Sequence, residues 1–261
     1  MSVNEKMTAI ADAIRAKTGG TQKLTLDQMA AGVSCVYDAG KQAQEDAFWD
    51  AYQQNGTRTD YQGAFGGLGW TNEVFKPKYD IATTNAAYMF RLSGISGDLV
   101  EILNNLGVTL DFSKTANFAE TFSNCYNLTR VGVIDISKAT YATNMFTQCT
   151  NLKTIDKLIV SESTVLSAFP GAVRALENLT IEGTIGKSGM NLSYAVKLNK
   201  ASIISVINAL SATTSGLSIT LSKTAVDDAF YDEDGEGAIG SESLEWATLI
   251  GTKSNWTISL M

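Results

Sequence analysis

The spacing of apolar residues changes twice along the chain. Near the start it is helical. Val3, Met7, Ile10 and Ile14 follow Ser2 and Glu5, which have capping-box spacing, and Gly19-Gly20 ends the segment. Thr25 with Gln28 forms a second capping box before Leu26, Met29 and Val33. A third helix is predicted from about Tyr37 to Gln53, with Ala39, Ala43, Ala47 and Ala51 four apart on it. Packing within the same chain is the preferred reading of this small-residue stripe, and contact between copies in an oligomer is the other. Residues 1–54 therefore read as a helical anchoring or oligomerisation module. Residues 55–84 follow as an aromatic, glycine-rich linker and N-terminal cap. In it Tyr61, Phe65 and Trp70 stand among glycines, as a structured capping loop or, as the alternative, a carbohydrate platform.

Over 85–186 the pattern becomes a repeat. ETFSNCYNLTRV (120–131) returns as NMFTQCTNLKTI (144–155), so that Phe122, Cys125, Asn127, Leu128 and Val131 recur 24 residues later as Phe146, Cys149, Asn151, Leu152 and Ile155. Strand-like Ile134 and Ile136 recur as Leu158 and Val160, and are preceded in the same register by Leu110 and Phe112. The register continues to Leu176 and Leu179, whereas Phe169 and Ala172 fall 23 beyond Phe146 and Cys149, as though one residue were missing. An earlier, irregular copy carries Tyr88, Met89 and Phe90, separated from the next by SGISGDLVEILNNLG, which reads as a short helix. Units this small cannot bury their own apolar faces, so a fixed period in the twenties implies a stacked solenoid with capped ends.

Residues 187–261 read as an αβ C-terminal cap. LNKASIISVINALSATTS is a helix with Asn199 as N-cap and Ile203, Ile207 and Leu210 inward, and GLSITLS is a strand. AVDDAFYDEDGEGAIG is an acidic stretch with a loop, SESLEWATLIGTK a helix and NWTISL a strand, an order expected to extend the solenoid sheet by two longer units. The fold class is thus α+β: a helical module, a short solenoid of about 24-residue repeats, and an αβ cap.

Composition narrows the function. The 261 residues are 44% apolar and 18% charged, a globular profile. A net charge of −7 without a basic run argues against nucleic acid and anionic membranes as partners. No apolar run has the length of a membrane span, and MSVNEKMTAIADAIRAK lacks the apolar core of a secretory signal. The absence of histidine excludes Ser-His-Asp and Cys-His catalysis and every histidine metal site.

The remaining candidate chemistry is weak. Three cysteines, Cys35, Cys125 and Cys149, cannot all pair within one chain. Neighbouring layers roughly 5 Å apart would allow a Cys125–Cys149 disulfide, but buried free thiols are the preferred reading. Asp232, Asp234 and Glu236 alternate as calcium ligands do, yet Gly235 comes too early for an EF-hand, and a solvated acidic loop is preferred. Asp111, Glu120, Asp135 and Asp156 are carboxylates on the repeats, without spacing that selects a catalytic pair. GKSGM (186–190) lacks the glycine spacing of a P-loop. No catalytic, cofactor-binding or metal residue is assigned, and no enzymatic activity is expected.

The tract ETFSNCYNLTRV … NMFTQCTNLKTI resembles the BspA-like leucine-rich repeats of bacterial and phage surface proteins. The stretches VNEKMTAIADAIRAKTGGTQKLTLDQMAAGV and AFWDAYQQNGTRTDYQGAFGGLGW, with the closing LNKASIISVINAL … NWTISL, resemble tail-associated proteins of phages and prophages of Gram-positive bacteria. The chain departs from the repeat pattern at FPGAVRAL, where Cys and Asn would stand. The resemblance implies a phage tail or baseplate structural protein. Its N-terminal helices would bind other tail proteins, and its repeats a host-surface protein or glycan. A homo-oligomer is expected, resident in the virion and made in the host cytoplasm without a signal peptide. A bacterial cell-surface adhesin with the same repeats is the second reading, and a polysaccharide depolymerase the third.

Overall fold

The computed structural model describes residues 11–12, 15–16, 41–139, 142–167, 173–230 and 243–261. The chain divides into two compact units, Met1–Asn55 and Gly56–Met261. The expected capping boxes at Ser2 and Thr25, and Cys35, lie outside the described residues. In the first unit, residues 41–52 form helix α1. Ala43, Ala47 and Ala51 are exposed, which corrects the expectation that the stripe packs within the chain. Phe48 stacks on Tyr52 at 5.4 Å, and buried Trp49 meets both rings edge-on.

The second unit mixes helices with parallel sheets. Strands β1 (Ile81–Ala82) and β3 (Leu110–Asp111) pair. A four-stranded sheet runs in the order β2 (Gly97–Asp98), β4 (Leu128–Asp135), β5 (Thr154–Val160), β6 (Asn178–Gly183), all parallel. Val131 faces Ile155, which faces Leu179, each 24 residues on, and all three are buried. The missing residue falls inside the sheet: beyond a bulge, Leu158 faces Ile181, 23 residues on. Phe169 and Ala172 lie outside the described residues, but Val173 stands where Cys149 does. The Leu176 N–H donates to the Val173 carbonyl, as the Leu152 N–H does to Cys149.

Opposite the strands, each turn of chain carries a phenylalanine directly over the last. Phe65, Phe90, Phe122 and Phe146 stack with ring centroids 5.3, 5.2 and 5.4 Å apart, and the last two pairs lie within 4° of parallel. All four rings are fully buried. Stacked aromatic pairs add about 0.5–1.5 kcal/mol each beyond their burial. The column corrects the reading of the glycine-rich stretch as a separate capping loop: it forms the first turn of the same stack. Tyr61 and Phe65 are buried within it, which removes the carbohydrate platform.

The backbone around the column explains the residue choice. Phe65, Phe90 and Phe122 donate N–H to the carbonyls of Met89, Thr121 and Met145 in the next turn. The residues two before and two after each ring do the same, while intervening N–H groups bond within their own turn. Both flanking positions need φ > 0: Gly63 and Gly67, then Tyr88 and Leu92, Glu120 and Asn124, Asn144 and Gln148. A left-handed conformation is costly for Tyr, Leu and Glu. It persists because the ladder fixes the N–H groups on both sides. A matching column of Asx turns precedes it, where Asp60, Asn85 and Asn117 each accept the N–H two residues on.

The C-terminal elements close the stack differently from the expectation. Helix α3 (Lys200–Ala209), capped by Asn199, buries Ile203 and Ile207, and Leu210 beyond it is also buried. It lies along the free edge of β6, where the Ser202 and Ser205 hydroxyls each accept a backbone N–H, from Leu179 and Ile181, at 2.8 Å. The first sheet therefore ends at β6 instead of extending, since two serine oxygens replace the next strand. A separate parallel sheet follows, β7 (Asn191–Leu192), β8 (Leu217–Leu221), β9 (Trp256–Leu260). Lys223–Phe230, read as part of an acidic loop, is helix α4; α5 spans Leu244–Gly251, and its Trp246 packs on Phe230 at 5.2 Å.

Candidate functional site

The one interruption of the repeat builds the most enclosed feature of the surface. Helix α2 (Leu99–Leu106) is inserted between the second and third phenylalanine turns. Asp98 starts it, its Oδ1 accepting from Val100 N at 2.8 Å and Glu101 N at 3.2 Å. Gly107 ends it at φ 67°, donating to Asn104 while Val108 N donates to Leu103. Leu99 and Leu103 face inward. Between this helix and β4 lies a cleft of ≈ 230 Å³. Leu103, Val108, Phe112, Phe122 and Val131 supply apolar lining, and Asn104 and Thr109 are the polar side chains.

A charged clamp holds the helix to the sheet. Arg130 on β4 bonds Asp156 through both Nε and NH2 at 2.8 Å, and reaches Asp98 Oδ2 through NH1 at 3.0 Å. Asp98 thus serves as helix cap and ion-pair partner at once. These hydrogen bonds, to Asp156 first and then Asp98, push the Arg130 pKa above its ordinary value. Being part-exposed, the pairs contribute at most about 1 kcal/mol each. Their main effect is geometric, because a bidentate fork fixes direction as well as distance. Asp80 pins the far side: its Oδ1 accepts from Thr109 N at 2.7 Å, which holds its carboxyl below the usual range.

The other candidates have structural partners. Asp111 and Asp135 close Asx turns onto Ser113 N and Ser137 N, at 2.8 and 2.9 Å. Glu120 pairs with Arg91 at 2.9 Å, and Asp156 belongs to the clamp. Each of these carboxylates thus has its own partner. Cys125 and Cys149 are buried free thiols, their Sγ–H groups donating to the carbonyls of Phe90 and Phe122 at 2.9 and 3.0 Å. Burial pushes the Cys125 thiol up to about 12 and raises Cys149 as well. Neither is therefore a thiolate nucleophile at neutral pH.

In GKSGM, Ser188 Oγ accepts from Ser218 N at 2.9 Å and Met190 is buried, so the segment joins sheets instead of cradling phosphate. Asp232, Asp234 and Glu236 lie outside the described residues. Among the described residues no group of three or more acidic or cysteine side chains is placed to hold a metal ion. Among them, too, no helix is long and apolar enough to cross a membrane.

Sequence reasoning missed Arg130 and the cleft. The signal for Arg130 was its position on a strand one layer from Asp156, 26 residues on. No family model, curated protein or solved structure matches this chain.

Proposed function

We propose that this chain is a structural protein of a phage tail or baseplate. The N-terminal helices attach it to other tail proteins. Residues 56–261 form a short leucine-rich-repeat-like solenoid that binds a host-surface protein or glycan. The observation that supports this reading is the 24-residue parallel register through β4, β5 and β6, backed by the phenylalanine column. A stack of short turns is a stiff scaffold that presents a continuous face for recognition, and it needs no catalytic centre to do so. The motif resemblance at both ends supports the tail assignment.

The test is to delete residues 1–54 and follow both activities. The truncated protein is expected to stay folded and to compete with intact particles for host cells, while failing to enter the virion. Incorporation of the truncated chain into particles would refute the anchoring role. Failure of the full chain to bind host cells would refute the recognition role. Recovery of the protein from the bacterial envelope instead of particles would assign it to the surface adhesins.

A further inference from the structure

The geometry points to a ligand site in the cleft between α2 and β4, for a small uncharged molecule with an apolar body about the size of an aromatic ring and one hydrogen-bonding end. The inference concerns the cleft alone and stands whether or not the protein belongs to a phage tail.

Volume and lining set the ligand class. At ≈ 230 Å³ the cleft exceeds the apolar cavities, about 150 Å³, that stay dry and take up benzene. Its walls are leucine, valine, isoleucine and phenylalanine side chains, with no ionisable group among them. A charged ligand would lose hydration there without gaining a counter-ion. Asp98 and Arg130, at the start of the helix, are already paired. The polar end of the ligand is set by Asn104 and Thr109, both exposed, whose side chains hydrogen-bond to no other described residue.

The cleft is also held open. Asp98 and Gly107 cap the two ends of α2, Arg130 ties its start to the sheet, and Asp80 fixes Thr109. Gly132 sets the approach between helix and strand: a Cβ there would meet Val100 Cγ2 at 3.1 Å. A ligand therefore enters a preformed space, which lowers the cost of binding.

Saturation-transfer NMR on the full-length protein tests this with benzene, indole and benzoate as probes. Benzene and indole are expected to bind and benzoate not to. Val100→Trp fills the cleft and is expected to abolish both signals. Val133→Trp, at an exposed lining position that leaves the core intact, is expected to weaken both, and keeps the test valid if the first variant does not fold. Asn104→Leu is expected to weaken indole about tenfold, the worth of one hydrogen bond, and to leave benzene unchanged. Absence of binding by benzene and indole overturns the proposal, as does equal binding of benzoate. Undiminished binding in folded Val100→Trp and Val133→Trp places the probes elsewhere and overturns it as well.

Discussion

Phe122→Ala removes the centre of the aromatic column. Phe122 is fully buried and lies 5.2 Å from Phe90 and 5.4 Å from Phe146, both nearly parallel, with Phe112 edge-on at 6.4 Å. Truncating a buried phenylalanine costs about 3–5 kcal/mol. The two lost stacks place this site at the top of that range, about 5 kcal/mol. Phe118 is the control: it is equally buried, but its ring contact is a tilted one with Phe112 at 5.3 Å. Phe118→Ala should cost about 1–2 kcal/mol less. The assay is urea unfolding of the full chain followed by far-ultraviolet circular dichroism, comparing midpoints and slopes. Because domains are stable by only about 5–15 kcal/mol, Phe122→Leu serves as the milder companion, at about 1–2 kcal/mol. A Phe122→Ala protein no less stable than Phe118→Ala would refute the claim that the column organises the stack.

Asp98→Ala should destabilise α2 by about 1–2 kcal/mol, whereas Asp98→Asn, which keeps the cap and loses the ion pair, should cost under about 1 kcal/mol; hydrogen exchange across 99–106 measures both. Ser202→Ala should leave the Leu179 N–H without its acceptor and cost about 1–3 kcal/mol, read as lost protection of that amide. Stability should fall as pH rises through the alkaline range. The folded thiols of Cys125 and Cys149 are raised, to about 12 for Cys125, while unfolded thiols ionise near about 8.5. Their contribution is therefore complete below pH ~8.5 and is lost above it at about 1 kcal/mol per pH unit per thiol. Replacing both by serine should flatten that part of the profile, and an unchanged slope would refute the attribution.

The repeat was legible where neighbouring turns share side chains. Phe122 with Phe146, and Cys125 with Cys149, recur because the same buried slot is filled twice. Phe65 escaped notice because its turn has glycine at both left-handed positions and lacks the Cys and Leu that mark later turns. The 32-residue step from Phe90 to Phe122 hid the register, since the α2 insertion lengthens that turn. The end of the first sheet was illegible for a different reason. Ser202 and Ser205 read as ordinary helix residues, and their role depends on where the helix lies. The cleft is assembled from α2, β3 and β4, and no local pattern encodes the space between them.

The central functional claim is tested most directly by locating the protein. Particles purified from a producing culture should contain the chain by mass spectrometry at a fixed ratio to other tail proteins. Antibody labelling should place it at the tail end that meets the host. Its absence from particles, with recovery from the bacterial envelope instead, would contradict the account.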